Sequence, residues 1–288
     1  MSEQTTIAVI GGSGLYELEG LTDVEQHTVD TPFGEPSGPI VSGVLGGTRL
    51  LFLARHGIGH RLTPSEVNYR ANIYALKVLG AERVVSVSAV GSLREEIRPG
   101  DLVIVDQYVD RTRNRPSTFF GGGIVAHVMF ADPTCPELAD AVHGASRGID
   151  ARVHRGGSLV VMEGPAFSTR SESHMHRQLG ADLIGMTAMP EAKLAREAEL
   201  CYVTLALTTD YDCWHESEDD VSVEAVIENL KRNVHNAGSV LRRLAESGMP
   251  AARGCACATA LTDAIITDPG VIPGEARRRL APIIGRVL

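Results

Sequence analysis

Four polar segments gather the side chains able to do chemistry, and each closes an apolar run. The first, Ile10-Gly11-Gly12-Ser13-Gly14-Leu15, is a glycine-rich turn whose backbone N–H groups and Ser13 hydroxyl suit an anion. A dinucleotide fingerprint fails there, because Glu17 stands where the third glycine is required. The P-loop fails too, since no Gly-Lys-Ser/Thr follows. The second, Ala54-Arg55-His56-Gly57, pairs a planar guanidinium fork suited to phosphate with an imidazole that can add a donor. The third, Ser86-Val87-Ser88-Ala89-Val90-Gly91-Ser92, ends a strand in small hydroxyl and glycine residues that let a ligand approach the backbone. The fourth, Thr208-Thr209-Asp210-Tyr211-Asp212-Cys213-Trp214, sets two carboxylates two residues apart beyond a buried strand. One of them can meet the polar edge of a heterocycle and hold a proton there, because burial raises a carboxyl pKa. The first, second and fourth segments also have a plain reading: a tight strand exit, a surface arginine with a turn histidine, and a helix-capping cluster, respectively.

The elements that must position these groups alternate short β-branched runs with helical segments, the pattern of an α/β fold. Strands are predicted at Thr6–Ile10, Arg83–Ser88, Asp101–Val105, Ser158–Met162 and Cys201–Thr208, with a hairpin of Pro39–Val44 and Arg49–Leu53 turning through Gly46-Gly47. One helix is predicted from an N-cap at Thr63, with Pro64 at N1, Glu66 completing a capping box, a stripe of Val67, Ala71, Tyr74, Ala75 and Val78, and a stop at Gly80. A short helix covers Pro190–Ala198, and a long one runs from about Val221 to Glu246 behind a cap at Asp220. The expectation is one domain over 1–246 with a C-terminal extension, 247–288, docked on it.

The five cysteines, Cys135, Cys201, Cys213, Cys255 and Cys257, are odd in number and scattered, which is no secreted disulfide framework. Cys201 and Cys213 read as reduced core thiols. Cys255-Ala256-Cys257 could form a strained disulfide or join a metal site, but a cytosolic default leaves both reduced. No CxxC pair is present, and Gly57 and Gly59 oppose the helix that would align His56 with His60, so no metal is expected. The formal net charge of −9 argues against nucleic-acid partners and anionic membranes. The start, Met1-Ser2-Glu3-Gln4, lacks signal-peptide character, so a cytoplasmic location is expected.

Taken together, the four segments join Asp30-Thr31-Pro32-Phe33-Gly34, Pro64-Ser65-Glu66-Val67-Asn68-Tyr69-Arg70-Ala71-Asn72, Gly91-Ser92-Leu93-Arg94, Pro99-Gly100-Asp101, Glu163-Gly164-Pro165-x-Phe167-Ser168 and Met186-Thr187 in one order. That set resembles the trimeric purine nucleoside phosphorylase family, and within it the branch acting on 5′-methylthioadenosine. The resemblance covers about residues 6–246. It implies a mixed central β-sheet flanked by helices and phosphorolysis of 5′-methylthioadenosine to adenine and 5-methylthioribose 1-phosphate. The alternative is a phosphorylase of broader or 6-oxopurine specificity, acting on adenosine, inosine or guanosine. By resemblance Ser13, Arg55, His56, Ser88, Ala89 and Thr187 hold inorganic phosphate, a co-substrate, and no cofactor is needed. Met186 lies under the ribose, Phe167 and Ser168 face the base, and Asp210 meets its N7/N6 edge as general acid with Asp212 nearby. Val223, Val226 and Ile227 suit an apolar 5′ pocket, and His127 matches a histidine that reaches the 5′ end from a neighbouring subunit. The family assembly implied is a homotrimer or a dimer of trimers.

Overall fold

A computed structural model describes residues 5–12, 18–215 and 223–288, with side chains not described at 223–228 and 230. The described strands form one mixed sheet of eleven: β1 (Thr6–Gly11), β2 (Thr22–His27), β3 (Ile40–Leu45), β4 (Thr48–Ala54), β5 (Arg83–Ser92), β6 (Leu102–Val105), β7 (Gln107–Asp110), β8 (Val153–Arg155), β9 (Ser158–Val161), β10 (Leu183–Gly185) and β11 (Cys201–Asp210). The order is β2-β3-β4-β1-β5-β10-β9-β7, and a branch leaves β5 through β11 to β6 and β8. In β1 every residue is buried, and alternate side chains divide between the two faces: Ala8 and Ile10 pack in one apolar cluster, Ile7 and Val9 in the other. The first face carries α1 (Tyr69–Val78), α4 (Ala188–Glu197) and α6 (Gly274–Ile284). The opposite face carries α2 (Pro136–Ala145) and α5 (Val223–Ser247), and α3 (Arg170–Gln178) completes the helices. Burial on both faces is why the strands read as continuous apolar runs.

The predicted strands and the hairpin are present within a few residues, and β5 and β11 run farther than expected, to Ser92 and Asp210. The helix predicted from Thr63 begins instead at Tyr69. Thr63 N–H and hydroxyl do donate to Glu66 Oε2, at 2.9 and 2.7 Å, but they close a separate turn. Asn68 is the true cap: its Oδ1 accepts from Ala71 N–H while its amide donates to Phe33 and Glu35 carbonyls. Val78 leaves the apolar stripe and faces solvent. Asp220 lies outside the described residues, as does Ser13. Cys201 is buried as expected, whereas Cys213 is half-buried with its thiol directed at Ser168 O.

The stretch 247–288 straddles the edge of the sheet at which β1, β5 and β11 begin. Leu261, Ile272, Leu280 and Ile283 join the cluster on one face and Cys257 the cluster on the other. Glu199 fastens this wrap: its carboxylate accepts from Leu261 N–H at 2.9 Å and from both Arg286 Nε and Nη2.

Candidate active site

The strands β4, β1, β5 and β11 lie side by side and parallel, so their carboxyl ends share one edge. The described parts of all four polar segments singled out in the sequence lie along that edge. The strand β5 is the pivot. It pairs with β1 as far as Ser86, opposite Ile10, then leaves and takes β10 as an antiparallel neighbour at Gly91, opposite Ile184. Between these two partners Val87–Val90 edges a crevice, the switch-point geometry at which α/β sheets bind ligands. On its other side β11 follows β5 to Thr208, opposite Val90, and then slips by one residue so that Asp210 meets Gly91. Such a bulge re-aims the side chain that follows it.

Arg55 does not project freely into this crevice. It is 2% exposed and clasps Glu191, itself 1% exposed, with Nε–Oε2 at 3.0 Å and Nη2–Oε1 at 3.2 Å. The guanidinium also donates to Val87 O, Ile10 O and Ser86 Oγ, stitching β1 to β5 where they part. Glu191 accepts in turn from Ser86 and Tyr202 hydroxyls at 2.6 and 2.9 Å. Burial disfavours the Arg55 charge, but Glu191 outweighs it and holds the pKa above the ordinary arginine value. Among the described residues Nη1 makes one hydrogen bond, to Val87 O. Sequence reasoning missed Glu191. The available signal was that an arginine ending a buried strand needs a buried counter-charge.

His56 has its role set by Leu62. Its Nδ1 lies 2.8 Å from Leu62 O, and a carbonyl only accepts, so Nδ1 carries the proton. Burial and then the Arg55 cation push the imidazole down to about 4, so it is neutral near pH 7. Nε2 is therefore an acceptor in the free site. Where the sequence suggested a donor, this nitrogen offers an acceptor.

Ser88 and Thr187 meet across the crevice, their hydroxyls 3.1 Å apart. Thr187 is the N-cap of α4 but makes no capping bond with its side chain, which leaves its hydroxyl for a ligand. Ala89 is exposed at the lip. The turn bearing Met186 and Thr187 is clamped by Arg115, which donates to the carbonyls of Met186, Met189 and Glu163 at 2.6, 2.9 and 2.6 Å. Arg115 was not singled out by sequence, and its position in a loop of mixed polarity carried no signal. Met186 Sδ fills the space over Gly164, where a Cβ would come within 2.5 Å of it.

Asp210 sits at the other side. Its Oδ1 accepts from Asp212 N–H at 2.8 Å and its Oδ2 lies 2.7 Å from Thr209 Oγ1, which is also 3.2 Å from Val90 O. The threonine has one proton. It donates to Asp210 when the carboxyl is ionised, and to Val90 O while accepting from Asp210 when the carboxyl is protonated. Burial, opposed by those hydrogen bonds, raises the Asp210 pKa. Asp212 is 7% exposed, has φ +52° and keeps a buried Oδ2 with no hydrogen-bond partner among the described residues. An orphaned buried acceptor suits a donor brought by a ligand. From α5, Asn229 and Asn233 donate to the carbonyls of Thr209 and Thr208, both at 2.8 Å, and fix the strand end. Phe167 is 49% exposed beside Ser168, whose hydroxyl approaches Met162 Sδ and whose carbonyl accepts the Cys213 thiol. His127 is exposed on a loop, apart from these groups, with its N–H on Ala264 O. Side chains of Val223, Val226 and Ile227 lie outside the described residues.

A family model described as "Phosphorylase superfamily" matches residues 6–246. The chain belongs to that superfamily. It is 59% identical to an S-methyl-5'-thioadenosine phosphorylase of Geobacter sulfurreducens, over 98% of this chain and 99% of the relative. A protein of the same name from Koribacter versatilis is 55% identical over 98% of this chain and 97% of its own. A methylthioadenosine phosphorylase from an antarctic soil metagenomic library superposes with a TM-score of 0.93 at 52% identity, covering 97% of this chain and 99% of that one. The Schistosoma mansoni methylthioadenosine phosphorylase, solved in complex with adenine, gives 0.80 at 38% identity, covering 84% and 91%. No described helix is long and apolar enough to cross a membrane.

Proposed function

We propose that this chain is a pentosyltransferase that cleaves 5′-methylthioadenosine with inorganic phosphate, giving adenine and 5-methylthioribose 1-phosphate. The observation that carries the reading is the crevice at the β5 switch point, with the Ser88–Thr187 hydroxyl pair and Asp210 on the strand ends that border it. Phosphate is held by Ser88, Thr187, the Ala89 backbone, Arg55 and the Ser13 hydroxyl, with His56 Nε2 accepting its proton. As the bond from C1′ to N9 breaks, positive charge grows on the sugar and negative charge on the purine. The phosphate dianion stabilises the sugar cation and forms the new C1′–O bond from its own electron pair. Asp210 gives its proton to N7, so the base leaves neutral, and the carboxylate left behind is steadied by Thr209 and Asp212 N–H. Asp212 Oδ2 takes the exocyclic amine, which selects a 6-aminopurine. Phe167 and Ser168 face the base, Met186 lies beneath the ribose, and Val223, Val226 and Ile227 form the 5′ pocket.

In this reading the chain acts in the cytoplasm as a homotrimer, and exposed His127 reaches the 5′ end of a neighbouring subunit's substrate. The test is adenine release from methylthioadenosine with and without phosphate, run beside inosine. Release only with phosphate, and far faster than hypoxanthine release from inosine, is expected. Release that persists in phosphate-free buffer makes the chain a hydrolase, and preference for inosine assigns it 6-oxopurine specificity.

A further inference from the structure

Far from the crevice, four cysteines from three separate stretches of chain come together: Cys135, Cys201, Cys255 and Cys257. Their Sγ atoms all lie within 4.8 Å of one another, with Cys201 and Cys255 at 3.4 Å. A zinc ion with Zn–S bonds of about 2.3 Å holds its tetrahedral sulfurs about 3.8 Å apart, inside the range found here. Cys135, Cys201 and Cys257 are buried in the apolar cluster beneath α2 and α5, and Cys255 packs on its margin. The short turn at Ala256–Thr259 folds Cys257 back so that both sulfurs of the Cys-x-Cys pair reach the group. Cys135 is the N-cap of α2, where the helix dipole favours a thiolate. An all-sulfur set excludes magnesium and calcium and selects a thiophilic ion.

We propose that these cysteines form a structural Zn²⁺ site that fastens the C-terminal extension to the starting edge of the sheet. Binding forms four Zn–S bonds and releases the four thiol protons to solvent, with no change in the oxidation state of sulfur or zinc. All four coordination positions are filled by protein, the closed arrangement of structural rather than catalytic zinc. The placement agrees, because β11 opens at Cys201 and closes at Asp210, a run of about 30 Å at ~3.3 Å per residue. Beside the cluster, Arg253 donates to Glu199 O at 2.7 Å and Thr5 to Met249 O at 3.1 Å. The zinc would convert these into one rigid corner.

The full-length chain, purified in reductant without chelator, is assayed by elemental analysis and by intact mass under native and denaturing conditions. About one zinc per chain is expected, with four further alkylatable cysteines appearing only after unfolding in chelator. The double substitution C255S/C257S should abolish zinc binding and expose residues around 250–265 to protease, while methylthioadenosine turnover at moderate temperature stays within about twofold. Metal-free chain with all thiols open to alkylation overturns the proposal. So does a mass short of the hydrogens lost in two disulfides. If the double variant fails to fold, Co²⁺ substitution of the unaltered chain decides: tetrahedral thiolate–cobalt absorption supports the site, and its absence rejects it. The metal, thiol, mass and protease readouts do not depend on the identity of the nucleoside substrate; only the turnover comparison rests on the proposed function.

Discussion

Asp210 shows how much one residue owes to its immediate neighbours. A carboxyl near the usual value would be ionised at neutral pH and useless as an acid. Burial raises this one, while Thr209 and the Asp212 N–H keep its conjugate base tolerable. Replacing Asp210 by Asn removes the proton and should lower kcat/KM for methylthioadenosine by about 10²–10⁴-fold. Because the acid must be protonated to act, kcat/KM of the unaltered chain should fall as pH rises past its raised pKa, and the Asn variant should lack that limb. A pH–rate profile of both proteins checks this, and an identical limb in the variant moves the acid elsewhere. Glu191 makes the complementary point about stability. Cutting it to Ala strands the Arg55 charge in the interior and should cost about 3–5 kcal/mol, read from urea unfolding without phosphate. Arg55, His56, Ser88 and Asp210 were legible as candidates in the sequence because they close apolar strands, whereas Phe167, Ser168, Met186 and Thr187 came only from the resemblance. Glu191 and Arg115 were not legible, since a counter-charge and a carbonyl clamp declare themselves only when distant segments meet.

At the scale of elements, the site is made by the way β5 changes partners and by the one-residue slip in β11. Neither event has a sequence signature: the strands were legible as runs, but pairing and bulge are decided by register across the sheet. The same limit explains the helix start misplaced at Thr63. Half of its capping box forms, with Glu66 accepting from Thr63 N–H, but Asn68, tied to Phe33 and Glu35 from another loop, wins the cap. Gly91 leaves little room for a side chain beside the end of β11. A Cβ there would sit 2.9 Å from Asp210 Oδ1, 3.2 Å from Ile184 Cγ2 and 3.4 Å from Asp212 Cβ. Gly91→Ala should therefore shift the proposed catalytic carboxyl by a fraction of an ångström with the sheet intact. A misplacement of this kind can cost about 10²-fold in rate. The expected result is a fall in kcat of at least tenfold with a thermal midpoint near that of the unaltered chain. An unchanged kcat would mean that the carboxyl has room to move without losing alignment.

For the whole molecule, the net charge of −9 argues against polyanionic partners yet is compatible with the proposed site for one small anion, because the attraction there is local. Its acidic groups are not all solvated. Glu197, 6% exposed at the end of α4, accepts from Phe119 N–H and Thr118 hydroxyl, both at 2.7 Å, and so anchors the loop that buries Phe119 in the core. Burial nevertheless dominates those bonds and pushes its pKa up from 4.5 to about 7. The folded chain then binds a proton more tightly than the unfolded one. Stability from this group is complete below the unfolded pKa of 4.5, declines as pH rises through about 7, and is level beyond. The shift corresponds to on the order of 3 kcal/mol between those limits. Glu197→Gln keeps the shape, offers Oε1 to Phe119 N–H and can donate from its amide to Thr118. It should flatten that part of the stability profile and leave the variant more stable than the parent at pH 8. Denaturant unfolding at pH 5, 6, 7 and 8 decides the matter, and parallel profiles for the two proteins would show that the carboxylate is already ionised throughout, with its two donors outweighing the cost of burial.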